Sequence, residues 1–133
     1  MTRQLTVKDA VNEAIRLEMR NDPSVFLIGE DVAGGAGNDH IPGALDAWGG
    51  PFGVTKDLVT EFGRERVIDS LLAETGFVGA CIGATFAGMR PIAEIMYSDF
   101  IGTSFDQILN HAAKLRFTYG GKVSIPLVIR TVT

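Results

Sequence analysis

The feature that most constrains the fold is the alternation of short apolar runs with segments of helical periodicity. Strands are predicted at about residues 25–28, 66–72, 91–97 and 123–131, and helices at about 7–20, 55–62, 76–88 and 101–119. Strands separated by helices pair in parallel, because a crossover returns the chain to the same edge of the sheet. The sequence therefore predicts an α/β fold with a mostly parallel sheet, helices on both faces and ligands at the carboxyl ends of the strands.

Local signals set the expected helix boundaries. Thr6, with Asp9 three residues later, predicts the start of the first helix. Thr55 is expected to cap the second helix, and Gly63 to end it in a left-handed conformation. The long helix at 101–119 should carry most of its apolar residues on one side: Phe105, Ile108, Leu109, Ala112 and Leu115. By default, Phe100 and Phe105 would be core aromatic residues.

Composition limits the classes of function. A length of 133 residues suits one domain, 46% apolar and 21% charged residues are typical of a folded protein, and a net charge of −4 without a basic cluster disfavours nucleic acid. The longest charge-free stretch, 75–89, is shorter than the roughly 20 residues that cross a bilayer. With a single cysteine, Cys81, and no leader pattern, we expect a cytoplasmic protein with no membrane partner.

A glycine-rich loop is expected at residues 29–54, which hold eight of the sixteen glycines. Unstructured loops longer than about 12 to 15 residues are usually either functional or mobile, and both alternatives remain open. Histidine occurs only as His40 in this loop and His111 in the long helix, too far apart in sequence for a convincing metal site. The sequence also lacks the dinucleotide fingerprint and the P-loop.

Glu74 stands out among the acidic residues because it follows the second predicted strand and has apolar neighbours, Leu71, Leu72, Ala73 and Phe77. Apolar surroundings favour a protonated carboxyl group, which can share a proton with a ligand nitrogen. Alternatively, Glu74 is an acid at a helix N-terminus, stabilised by the macrodipole.

The helix after Glu74 has a face of small residues that includes Gly79, Gly83 and Ala87. Such a face requires something to pack very close to it. That neighbour is either another subunit or another helix of the same chain.

Several motifs give the chain a specific resemblance over almost its whole length: GEDVAGGAG, DAWGGPFGVTK, LAETGFVGA, MYSDFIG and YGGK. It resembles the β subunit of thiamine-diphosphate-dependent E1 components, a family of pyruvate, branched-chain 2-oxoacid and acetoin dehydrogenases. Among these branches it is most similar to acetoin dehydrogenase. The resemblance implies a transketolase-like pyrimidine-binding domain over residues 1–133, with the C-terminal transketolase-type domain absent from this chain.

The resemblance also implies roles for individual residues. Glu74 matches the glutamate that binds N1′ of the aminopyrimidine, so that the exocyclic nitrogen can take the proton from thiazolium C2. Phe100 matches the aromatic residue that stacks on the aminopyrimidine. The face at Gly79, Gly83 and Ala87 would pack against another subunit, and the backbone carbonyl of Leu127 matches a ligand of the structural potassium ion of some members.

Two departures from the family imply partners. The diphosphate and magnesium motif is absent, as expected if an E1 α subunit holds those groups in an α2β2 heterotetramer. The catalytic histidine of the family lies beyond Thr133. With its partner, the protein would cleave acetoin oxidatively and pass the acetyl group to the lipoyl group of the E2 acyltransferase. Pyruvate or a branched-chain 2-oxoacid is the alternative substrate, and a catalytically empty α/β assembly module is the alternative class.

Overall fold

The computed structural model describes residues 3–35 and 49–133, and shows a parallel sheet of four strands in the order β2-β1-β3-β4. The elements follow in the order α1 (Val7–Asn21), β1 (Val25–Glu30), α2 (Leu58–Phe62), β2 (Val67–Ser70), α3 (Glu74–Phe86), β3 (Arg90–Ile95), a broken helix, and β4 (Val128–Thr131). The broken helix comprises a 3₁₀ segment (Ser98–Ser104), a π-helical turn (Gln107–Ala112) and α4 (Leu115–Thr118). The predicted fold class is confirmed.

Helices cover both faces of the sheet. On one face, Ile15 and Met19 of α1 and Leu58 and Val59 of α2 pack against a core that includes Leu27. On the other, the buried side of α3 and residues of the broken helix pack against a core of six residues: Phe77, Val78, Cys81, Ile82, Ala93 and Ile95. The strands between the two cores are therefore covered on both faces, as is usual for parallel sheets.

Arg66, at the amino end of β2, ties the start of β1 to the end of α1. Its guanidinium donates hydrogen bonds to the carbonyl oxygens of Met19, Asp22 and Val25 at 2.7–3.0 Å. Its charged carbon lies 5.2 Å from the centre of the Phe62 ring, within the range of a cation–π contact. One side chain therefore satisfies carbonyl groups at the end of α1 that have no partner within the helix.

The predicted helix boundaries hold in part. Thr6 caps α1 by accepting a hydrogen bond from the Asp9 amide at 3.1 Å, and Gly63 ends α2 with a φ of 74°. The predicted cap at Thr55 is wrong, because its hydroxyl donates to the Val32 carbonyl oxygen at 2.8 Å. The helix α2 begins only at Leu58, after Asp57 in a left-handed conformation.

The predicted single helix at 101–119 is wrong, and its replacement begins at Ser98. The hydroxyl of Thr103 donates to the Phe100 carbonyl oxygen at 2.8 Å, which competes with regular helical bonding. Farther along, the Ala113 amide reaches back five residues to Ile108, as in a π turn. The expected apolar side is divided as well: Ile108, Ala112 and Leu115 reach the core, whereas Phe105 and Leu109 are exposed.

The predicted strands differ at their ends. The second strand ends at Ser70 instead of residue 72, and β1 extends beyond residue 28 to Glu30. The fourth strand begins at Val128 because Pro126 has no amide hydrogen and the Leu127 amide bonds to the Ile125 carbonyl oxygen at 2.8 Å. None of the helices in the described part of the chain could span a bilayer.

Cys81 should be chemically inert in the folded protein. It is 1% exposed, and burial raises the pKa of its thiol to about 12. At pH 8 only about one Cys81 thiol in ten thousand is therefore in the reactive thiolate form. We expect a disulfide-exchange reagent to label less than a tenth of the native protein in the time that labels the urea-unfolded chain completely. Comparable labelling rates in the two states would contradict the buried position.

Candidate active site

The carboxyl ends of the strands form an edge at which the chain direction around the sheet reverses. β2 lies on one side of β1, and β3 lies on the other. Such a switch point leaves a crevice between the outgoing connections, where open α/β sheets bind ligands. Glu30 ends β1 at this crevice, and Ser70 pairs with it at the end of β2.

Glu74 is the first residue of α3, directly above this edge. Glu74 is half-buried. Its apolar neighbours in the sequence were expected to enclose it, but Leu71 and Leu72 are each 74% exposed and do not. Only Phe77 is buried, in the core beneath α3. Glu74 also lies in the first turn of the helix, where the macrodipole favours an acidic side chain.

Glu30 feels the charges of two other carboxyl groups near the crevice. Burial raises the pKa of Glu30, and the neighbouring carboxylates of Asp31 and Glu74 raise it further. This coupling places Glu30 within electrostatic reach of Glu74. Sequence reasoning missed Glu30, although two consecutive acids at the end of a buried strand were a usable signal. The Ser70 hydroxyl is buried beside it and has no hydrogen-bond partner among the described residues.

Aromatic side chains form one wall of the site. Tyr97 makes edge-to-face contacts with Phe52 at 5.5 Å and with Phe100 at 5.8 Å between ring centres, both at 86°. Phe100 is 37% exposed, and Phe105 is 51% exposed. The default expectation that these two phenylalanines are core residues is therefore wrong. Phe100 retains ring surface that is free for a planar ligand.

Hydrogen bonds connect the carboxylate side of the site to the aromatic side. The hydroxyl of Thr75, next to Glu74, donates to the Thr103 carbonyl oxygen. Thr103 in turn donates to the carbonyl oxygen of Phe100 at 2.8 Å. These bonds hold the first turn of α3 against the 3₁₀ segment that carries Phe100, although Glu74 and Phe100 are 26 positions apart in the sequence.

The other residues singled out from the sequence lie elsewhere. A Cβ atom on Gly79 would lie 3.1 Å from Oε1 of Gln107, so this glycine packs within the chain, whereas Gly83 has open space and Ala87 is exposed. Leu127 precedes β4 at the opposite edge of the sheet. His111 is exposed, and His40 lies outside the described residues, as does half of the predicted loop. In the described part of the chain, no group of three or more His, Cys, Asp or Glu residues is placed to hold a metal.

The donor set fits an aminopyrimidine. Such a ring needs an aromatic surface for stacking and carboxyl or hydroxyl groups for its nitrogens, and the site offers Phe100, Glu74 and the unpartnered hydroxyl of Ser70. A buried hydroxyl without a partner is costly unless a ligand or water satisfies it.

The raised pKa of Glu30 predicts a pH dependence of stability. Between the unfolded carboxyl pKa of about 4.3 and the higher folded value, the folded protein binds more protons than the unfolded chain. The free energy of unfolding should therefore fall as pH rises through this window, and Glu30→Gln should remove that fall. Urea unfolding at pH 4 and pH 7 tests this, with Glu18→Gln on the exposed side of α1 as the control. Equal pH profiles for wild type and Glu30→Gln would contradict the prediction.

Comparisons with known proteins place the chain among beta subunits of similar sequence. The beta subunits of the acetoin:2,6-dichlorophenolindophenol oxidoreductases of Bacillus subtilis and Cupriavidus necator are each 54% identical to the chain, over 98% and 99% of its length. The pyruvate dehydrogenase E1 component subunit beta of Gracilaria tenuistipitata is 46% identical over 92%. The chain spans 34–38% of the length of these relatives.

A family model described as the transketolase pyrimidine-binding domain matches residues 3–131, almost the entire chain. The match includes all four strands, the first turn of α3 and the aromatic wall. The chain therefore belongs to the transketolase pyrimidine-binding domain family.

Proposed function

We propose that this chain is the pyrimidine-binding part of the β subunit of a thiamine-diphosphate-dependent E1 component that oxidatively cleaves acetoin. The observation that carries the proposal is the junction of Glu74 and the open ring of Phe100 at the switch point of a domain of this family. The 54% identity to two acetoin oxidoreductase beta subunits supports acetoin as the substrate. The 46% identity to a pyruvate dehydrogenase subunit makes pyruvate the second candidate.

Each residue has a defined task in this proposal. The Glu74 carboxyl group binds N1′ of the aminopyrimidine and holds a proton there, while Phe100 stacks on the ring. When bound, thiamine diphosphate supplies a nucleophilic carbon and stabilises the negative charge that develops at the substrate carbonyl. Burial, together with the neighbouring carboxylates, raises the pKa of Glu30, which favours a proton on Glu30 at the crevice.

The remaining groups are assigned to partners. An E1 α subunit holds the diphosphate and most of the Mg²⁺ coordination in an α2β2 heterotetramer, and the acetyl group passes to the lipoyl group of an E2 acyltransferase. The Leu127 carbonyl oxygen is a candidate potassium ligand. The assembly is cytoplasmic, which suits a chain whose single cysteine is a buried free thiol.

Replacing Glu74 tests the enzymatic proposal against the assembly module. In the complete β subunit with its α partner, Glu74→Gln should lower turnover of acetoin by at least about 100-fold, because the proton at N1′ is lost. The assay is reduction of a dye acceptor with thiamine diphosphate and Mg²⁺, run in parallel with pyruvate and branched-chain 2-oxoacids. Glu65→Gln, on the exposed turn before β2, is the matched control. Retention of the α partner with unchanged turnover would identify a module instead.

The exposed small face of α3 is proposed to pack against another subunit. A Cβ atom on Gly83 meets nothing within 4 Å, so Gly83→Leu leaves the chain itself unobstructed, and leucine favours a helix over glycine by about 0.8 kcal/mol. We expect this variant to fold but to lose the subunit contact in sedimentation velocity. Ala10→Leu, which adds a leucine to the exposed side of α1, should assemble normally. An unchanged sedimentation profile for Gly83→Leu would rule out this interface.

A further inference from the structure

A buried ion pair joins β3 to β4 just before the site. Glu94 and Arg130 lie opposite each other in the parallel ladder, and the Arg130 guanidinium contacts Oε1 of Glu94. Their side chains are 5% and 18% exposed, respectively. The second carboxylate oxygen, Oε2, is buried and has no hydrogen-bond partner among the described residues. The proposed chemistry of Glu74 and Phe100 makes no use of this pair.

The neighbouring strand leaves space for Glu94. Gly29 of β1 lies beside Glu94 in the ladder, and a Cβ atom on this glycine would lie 2.6 Å from the Glu94 carbonyl oxygen and 2.7 Å from its Cβ atom. Glycine inside a strand often marks such a close approach. The carboxyl ends of β1, β3 and β4 are therefore fitted to one another around a single buried charge pair.

Stability alone does not account for a pair of this kind. A buried ion pair replaced by neutral side chains of similar volume often leaves stability unchanged or improved, because desolvating two charges offsets their attraction. A charged pair with one partner on each strand instead fixes the alignment of the two strands. A slip of β4 along β3 would leave Glu94 as an uncompensated buried charge.

A hydrogen bond connects the segment after β4 to the segment that carries the aromatic wall. Three residues beyond the end of β3, the amide of Ser98 donates to the Val132 carbonyl oxygen at 2.9 Å. Ser98 begins the 3₁₀ segment that carries Phe100, whose amide bonds to the Tyr97 carbonyl oxygen at 3.0 Å. The placement of this segment therefore depends on where β4 ends relative to β3.

We infer that Glu94 and Arg130 are positioning residues for Phe100: their ion pair sets the β3–β4 alignment that holds the stacking ring at the height of the aminopyrimidine. This inference rests on the proposed function, in which Phe100 stacks on the cofactor. Neither residue touches the cofactor, and both act through the hydrogen bond between Ser98 and Val132.

The test replaces both charges at once, so that no buried charge remains unpaired. Glu94→Gln/Arg130→Met, made in the complete β subunit and assembled with the α subunit, should bind thiamine diphosphate about tenfold more weakly in a calorimetric titration. Its melting temperature should change no more than that of the control Arg16→Met/Glu61→Gln, which removes an ion pair between α1 and α2. Hydrogen exchange at the Ser98 amide should accelerate in the first variant and not in the control.

A double-mutant cycle with Phe100→Leu separates this inference from the proposed function. If the pair acts through Phe100, removing it in the Phe100→Leu background should cost less than about twofold in cofactor affinity. The positioning role would be overturned if the losses of cofactor affinity were additive. It would also be overturned if Glu94→Gln/Arg130→Met bound the cofactor with full affinity. If Phe100→Leu alone leaves the affinity unchanged, the stacking role in the proposed function fails instead.

Discussion

The hydrogen bonds from Arg66 to three carbonyl groups are the interaction on which the rest of the structure depends. They hold the end of α1 and the start of β1 against β2, and β1 is the strand from which the site is built. A lysine could not reproduce this contact, because only the planar guanidinium presents several donors in fixed directions. Once the amino ends are fixed, the parallel ladder carries the alignment through to the carboxyl ends, where Glu30 and Ser70 lie side by side.

Much of this architecture could be predicted from the sequence, because it depends on local patterns. The alternation of strands and helices, the cap at Thr6 and the stop at Gly63 are all encoded within a few neighbouring residues. The resemblance to E1 β subunits also selected Glu74 and Phe100, which lie on two segments that hydrogen bonds hold together. The roles of these two residues toward a cofactor remain predictions.

The features that escaped prediction depend on strand order and on competing hydrogen bonds. The neighbours of Glu30 and of Glu94 follow from which strands lie side by side, and a pattern of apolar residues does not specify that order. The sequence around Thr55 is typical of a helix cap, but its hydroxyl donates a hydrogen bond to the Val32 carbonyl oxygen in the core instead. Similarly, apolar spacing predicted one long helix where Thr103 and a π turn interrupt the regular bonding.

Two anchored stems flank the part of the chain between residues 35 and 49. The first is held at the Ala33 amide, which donates to Asp69 at 2.6 Å, and the second at Thr55, bonded to Val32 at 2.8 Å. Because the bond from Thr55 to Val32 already joins the two stems, most of the closure entropy does not depend on the residues between them. Each doubling of a closed loop then costs only about 0.6 kcal/mol, so this sheet can tolerate insertions of very different lengths beside its crevice. A fold with such a tolerant position can diversify its ligands while keeping its core unchanged.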